Sequence, residues 1–382
     1  MPLGELVQSL PVNPIPELDA WSQQLRQIAS RPLECCEDFP TIARRYEAWW
    51  AHDLLDRPIL IASADSNPGR PIQRRLELLD QPEAWFEAKL ADMRQLHRVG
   101  DKLPTMRVDF GPVMLGALLG AEVEFVADTT WQHNFIKDDW SNAPRGAWTI
   151  VNDRWWRLMQ DRFDQLAEYA AGRCVVTTPA LGGSGDVLLN LRGASQLALD
   201  VIEQPERITD ALDNIYSAWR QAWSESYRRT VERGAGVMRW ANLWSNQPYV
   251  VTECDFSYMI GPKQFERLFL PDIARIAATA GRSIFHLDGQ GATRHIDALL
   301  EAPEIQAIQY VPGAGTPSAL KWVEMFRKIQ KAGRSLQVIC LPQEILPLCD
   351  ELRPEGLALW SEGVLSPGDL DALFEKFCQR YV

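Results

Sequence analysis

A (β/α)8 barrel is the fold this sequence predicts. Three observations carry it: eight apolar runs of strand length, amphipathic helix-like segments between them, and polar residues clustered where the runs end. The 382 residues suit one decorated barrel, and 46% hydrophobic content is enough for a large core.

The chain opens on a Pro-rich arm, Pro11 to Pro16, followed by helices predicted over 19–30 and 40–55. The second carries Tyr46, Trp49 and Trp50 and is expected to end at Pro58, because the residue before a proline disfavours helix. Strands are then predicted at 58–63, 106–110, 174–181, 236–243, 283–288, 305–311, 336–341 and 356–360. Helices are predicted at 155–171, 206–233, 262–280 and 318–332. In the 206–233 segment Ile208, Leu212, Ile215, Trp219, Trp223 and Val231 recur near helical spacing. Ser366-Pro367-Gly368-Asp369 reads as the capped start of a last helix. Intervals are short in the second half and long in the first, so insertions belong to the first half. The division expected is an N-terminal arm with helices over 1–57, packed on one barrel over 58–382.

Charge and composition narrow the function. There are 39 Lys and Arg against 51 Asp and Glu, a net charge of −12. That disfavours nucleic-acid and anionic-membrane surfaces, which need basic patches. No apolar run reaches the roughly 18 residues of a membrane span, and no secretory leader pattern is seen. Seven scattered cysteines without a Cys-x-x-Cys pair read as free thiols, hence a cytoplasmic expectation. Fifteen tryptophans are many. Most belong in the core, and those in strand-end loops could wall a small ligand.

The segment Ser283-Ile284-Phe285-His286-Leu287-Asp288-Gly289 says most about chemistry. Residues i and i+2 share a face of a strand, so His286 and Asp288 project together from its C-terminal end. In a parallel barrel that end builds the active site. A His-x-Asp pair can equally be a structural ion pair. Other strand-end positions give Asp109, Trp240, Trp244, Asn246, Tyr310, Cys340 and Glu362, with Asp255 in a nearby loop. Trp131 and His133 lie in an insertion and could face a ligand. Gly182-Gly183-Ser184-Gly185 could cradle an anion on backbone amides, with Arg192 as a clamp, or serve only as a turn. No nucleotide-binding fingerprint follows it.

His286, Asp288 and Glu362 are candidate ligands for zinc or another divalent metal. Without metal, Asp288 and Glu362, with Asp255, could act as an acid/base or nucleophile pair.

Phe256-Ser257-Tyr258-Met259-Ile260-Gly261-Pro262-Lys263-Gln264-Phe265, then Phe269-Leu270-Pro271, then His286-Leu287-Asp288-Gly289, resembles the uroporphyrinogen decarboxylase-like superfamily. That group includes the corrinoid-linked methyltransferases. Leu115 to Val126 fits the same group, and Gln309-Tyr310-Val311-Pro312-Gly313 points to an atypical branch. The resemblance implies a (β/α)8 barrel. The decarboxylases' Arg-Gln-Ala-Gly-Arg-type motif is absent from the matching 64–70 region. Where the methyltransferases bind zinc through His-x-Cys and a later Cys, His286 matches the histidine. Asp288 stands at the first cysteine, and Ser361 or Glu362 at the second. The implied function is methyl transfer from a small methylated substrate, with cobalamin supplied only by a partner corrinoid protein. A homodimer is a further expectation. The competing expectation is a glycoside hydrolase whose paired carboxylates sit in a Trp-lined cleft.

Overall fold

The computed structural model describes residues 10–64, 80–107, 111, 114–125, 130–137, 139–143, 148–313, 318–361 and 365–381. Among the described residues nine strands lie in parallel ladders. One sheet runs β2-β1-β12-β11-β10-β9-β8 and a second runs β3-β6-β7. Here β1 is Ile59–Ser63, β2 Arg98–Gly100, β3 Thr105–Arg107, β6 Val175–Thr177 and β7 Gly236–Met238. The others are β8 Val250–Glu253, β9 Ser283–Asp288, β10 Ala307–Val311, β11 Ser335–Cys340 and β12 Leu357–Ser361. Only β2 is antiparallel within the first sheet. β4 (Val123–Phe125) and β5 (Thr130–Gln132) form a separate antiparallel hairpin.

Each of the eight predicted strands has a counterpart. Most are shorter than the apolar runs, because the run continues past the last ladder bond. Pro179 follows Val175–Thr177, and Asn242 takes a left-handed φ of 57° beyond Gly236–Met238. β8 was not anticipated. Among the described residues no ladder joins β3 to β1 or β7 to β8, so the structure is an α/β fold of parallel strands in two sheets. Helices follow the amphipathic segments: Asp153–Ala170 before β6, Pro205–Val231 before β7 and Val323–Lys331 before β11. The segment leading to β9 is helical from Pro262 to Ala280, with a π-turn at Phe265–Phe269. Ser366 caps the last helix by accepting from the Asp369 N–H.

The N-terminal helices, Leu18–Ala29 and Phe39–Trp50, seal the N-terminal end of the strands. Trp49 Nε1 donates to the Leu336 carbonyl and Trp50 Nε1 to the Trp244 carbonyl. The second helix stops at Trp50, short of the expected 55. His52 adopts φ 55°, and the Asp53 N–H bonds back to the Ala48 carbonyl, a left-handed helix end set before Pro58 is reached. Beneath β1, fully buried Asp101 accepts from Arg45 at 2.5 Å, Arg57 at 2.7 Å and the Leu60 N–H at 3.0 Å. That network ties the second helix, the β1 entry and the β2–β3 loop together. All seven cysteines are free thiols. No described helix is long and apolar enough to cross a membrane.

Candidate functional site

β9 is a strand because its residues alternate. Phe285 and Leu287 are buried on one face, while His286 and Asp288 share the other and stay half-exposed at the C-terminal end. Parallel register sets Gln309 of β10 beside His286, and Gln337 of β11 beside Gln309. Both glutamines are fully buried. Their side chains form one relay. His286 Nδ1 lies 2.5 Å from Gln309 Oε1, Gln309 Nε2 donates to Gln337 Oε1 at 2.7 Å, and Gln337 Nε2 donates to the Ala241 carbonyl at 2.9 Å.

The direction of this relay is fixed by its last member. A backbone carbonyl only accepts, so Gln337 must turn its NH2 toward Ala241 and its oxygen toward Gln309. Gln309 must then offer its own oxygen to the imidazole. His286 therefore carries its proton on Nδ1, and the Nε2 lone pair is left for a metal or a proton.

Asp255 opens a 3-10 turn, Asp255–Met259, directly after β8, and β8 pairs Glu253 with His286. Ligand atoms of Asp255, His286 and Asp288 all lie within 4.8 Å of one another. Asp186, buried in the first turn of the Ser184–Arg192 helix, holds this turn. Its Oδ1 accepts from the Asp255 N–H at 2.8 Å, while Oδ2 has no partner among the described residues.

Burial, then the Asp255 charge, pushes the Asp186 carboxyl well above the usual carboxylate range. Glu253 moves the same way through burial and its neighbours Asp186 and Asp255. Asp255 is raised by desolvation; His286 pulls it back and Asp288 raises it further. Acids crowded this way hold protons or gather a cation.

The donor set fits a divalent ion on the chemistry shown. One imidazole nitrogen is left free by the relay, two carboxylates stand beside it, and uncompensated acids surround them. Three protein ligands is the number typical of catalytic zinc, which keeps a position open.

Trp240 joins the site, its ring edge-on to His286 at 4.7 Å. Asp109 and Glu362, expected at strand ends, lie outside the described residues. Trp131 and His133 sit on the β4–β5 hairpin, where Trp131 is exposed and His133 faces Glu124 at 3.4 Å. Among the described residues His133 is not one of the donors grouped at His286.

Five expectations are corrected. Trp244 is fully buried, with its indole N–H on Asn246 Oδ1 at 2.8 Å and its ring 4.9 Å from Phe39. It packs on Gly236, the first residue of β7, so it lies at the opposite end of the strands. Asn246 is there too, its N–H on Glu47 Oε1 at 2.7 Å. Tyr310 alternates away from Gln309, is fully buried, and packs on Phe326 of the helix layer. Arg192 is no anion clamp: it forms a buried two-point pair with Asp200, at 2.6 and 3.0 Å, and stacks over Trp140. The glycine turn also has a different job. The Gly183 N–H serves the protein's own Glu253, and a Cβ on Gly183 would fall 2.4 Å from the Glu253 carbonyl oxygen.

The sequence placed Asp186 at a strand end without a role, and it assigned none to Gln309, Gln337, Glu253 or Arg239. A signal existed for the glutamines. Each is a lone polar residue inside an apolar strand, two residues from the next inward position, which an apolar-run count absorbs without notice.

No protein-family model matches this chain, and no curated protein matches it. Among solved structures it is similar to a methyltransferase from Methanosarcina mazei, with a TM-score of 0.56 and 13% identity. The likeness covers 88% of this chain and 98% of the other. At that identity it is a likeness of fold: the chain has a methyltransferase-like α/β fold.

Proposed function

We propose that this chain is a uroporphyrinogen decarboxylase-like enzyme of the corrinoid-linked methyltransferase type. In this reading residues 58–382 form a closed (β/α)8 barrel and residues 1–57 pack against it. The protein takes a methyl group from a small methylated substrate and passes it to a separate corrinoid protein. The observation that carries the reading is the convergence of Asp255, His286 and Asp288 donor atoms within 4.8 Å. Asp255, His286 and Asp288 would hold zinc or a related divalent ion, with Glu362 a further candidate. The bound ion would supply Lewis-acid polarisation of the substrate heteroatom.

The chain's own residues do the rest. Gln309 and Gln337 hold the imidazole with Nε2 outward. Trp240 walls the site beside it. Asp186 anchors the Asp255 turn through two backbone N–H groups, so the carboxylate is positioned before anything binds. The raised carboxyls of Glu253 and Asp186 keep protons near the reacting atoms.

The test uses Asp288→Asn, which keeps the shape and removes the charge. Methyl transfer from small N-, S- or O-methylated compounds, methylated carboxylic acids among them, to cob(I)alamin, read by absorbance, should fall about 100-fold or more, the scale of a lost catalytic group. Thermal unfolding should move little. A variant that melts early yet transfers methyl normally would show Asp288 to be structural.

The spacing of Asp255 and Asp288 favours one second reading, glycoside hydrolysis. Donor oxygens within 4.8 Å approach the roughly 5–5.5 Å separation of retaining enzymes. Turnover of aryl glycosides by metal-free protein would move the assignment there.

A further inference from the structure

Arg239 directly follows β7, at the same strand ends as His286, and is only 4% exposed. Its hydrogen bonds go to neutral groups: Thr178 Oγ1 at 2.7 Å, the Tyr249 carbonyl at 3.3 Å and Ser226 Oγ at 3.3 Å. The guanidinium lies 4.6 Å from the Tyr227 ring centroid and 5.2 Å from that of Trp223. Tyr227 is a further neutral neighbour, and among the described residues Nη2 has no hydrogen-bond partner. Among the described residues no carboxylate pairs with this arginine. A buried cation normally acquires a counter-charge, because desolvation is otherwise uncompensated.

Arg239 lines a small cavity of about 20 Å³ together with Gly182, Trp219, Trp223, Trp240 and Glu253. That is room for a group of about water size, such as one carboxylate oxygen. Two of these walls belong to the site already described: Trp240 touches His286, and Glu253 pairs with His286 across the β8–β9 ladder.

The geometry points to an anion subsite in which Arg239 binds the carboxylate of the substrate, whose reacting end lies at His286. The inference rests on the proposed small-molecule reaction and names its substrate class, a methylated carboxylic acid. Arginine suits the role because its planar fork meets a carboxylate with parallel N–H bonds, and the ring faces hold it flat. Glu253 forms a second wall, and its carboxyl group is met by the Gly183 N–H. The tryptophans exclude water and strengthen the arginine contact.

Acetate is the probe and acetamide its neutral counterpart, added at constant ionic strength. Binding is read by the fluorescence of the cavity tryptophans. Acetate should give a saturable change in the millimolar range, with acetamide at least about tenfold weaker, the scale of a charge-assisted bond. Arg239→Met, close in shape and uncharged, should weaken acetate about tenfold or more. His286→Ala should leave acetate binding intact, so failure of the metal reading is separable from failure of this one. Equal binding of acetate and acetamide, or no saturable acetate signal, would overturn the subsite. So would unchanged acetate affinity in folded Arg239→Met. If Arg239→Met does not fold, the acetate–acetamide comparison on the native protein decides alone.

Discussion

Replacing Gln309 by Leu should loosen the His286 imidazole and weaken metal binding together. Gln309 gives up two buried hydrogen bonds, 2.5 Å to His286 Nδ1 and 2.7 Å to Gln337. A buried polar group left without a partner costs about 1–3 kcal/mol. Two such groups remain, His286 Nδ1 and Gln337 Oε1. Leucine's own burial offsets part, leaving a loss of roughly 2–4 kcal/mol. An imidazole freed of its orienting acceptor should also lose about 10- to 100-fold in metal affinity. Gln309→Glu sharpens the argument. A carboxylate still accepts from His286, but it cannot donate to Gln337, whose amide is held the other way round by the Ala241 carbonyl. Both variants should therefore be less stable in urea, and chelator competition should show weaker zinc binding for the leucine form. In the native protein, nitrogen NMR shifts should report the proton of His286 on Nδ1. A proton on Nε2, or unchanged zinc affinity in Gln309→Leu, would refute the relay.

Other consequences can be measured independently. The raised carboxyls of Asp186, Glu253 and Asp255 bind protons more readily in the folded chain than in the unfolded one. Their contribution to stability is therefore fully present below about pH 4 and is lost as pH rises through the folded values. Asp186→Asn, neutral throughout, should gain stability relative to the native protein from pH 5 to pH 8, and a constant difference over that range would contradict the assignment. Asp101→Ala leaves Arg57 without its acid, while Arg45 keeps Asp56, so unfolding should become easier by about 3 kcal/mol, the low end for a broken buried pair; a change under 1 kcal/mol in urea would mean the network is not holding the β1 entry. Trp244→Phe removes the N–H that meets Asn246, so it should lower the melting temperature while leaving metal affinity untouched.

The strands were legible because parallel, doubly covered strands read as continuous apolar runs, and 283–288 matched its observed bounds at both ends. Where runs overshot, the limit was backbone geometry that side-chain type does not announce, as at Asn242 and His52. The His286–Asp288 pair was legible from strand alternation alone. Asp255 entered as an alternative acid and became a member of the cluster through β8, a short strand hidden in an otherwise irregular stretch. Trp244 and Asn246 misled because a run reading as one strand ends at Met238, and the chain then turns back to the N-terminal side before β8. Arg192 misled because its acid, Asp200, lies eight residues on in the next helix. Arg239 was invisible as a site residue: its meaning lies in a carboxylate partner that no described residue supplies.

The central claim is a divalent ion at Asp255, His286 and Asp288, and elemental analysis after zinc or cobalt loading and desalting tests it most directly. The account predicts about one ion per chain in the native protein and a loss to background in His286→Ala, where the only nitrogen ligand is gone. Stoichiometric metal surviving in His286→Ala, or none retained by the loaded native protein, would contradict it.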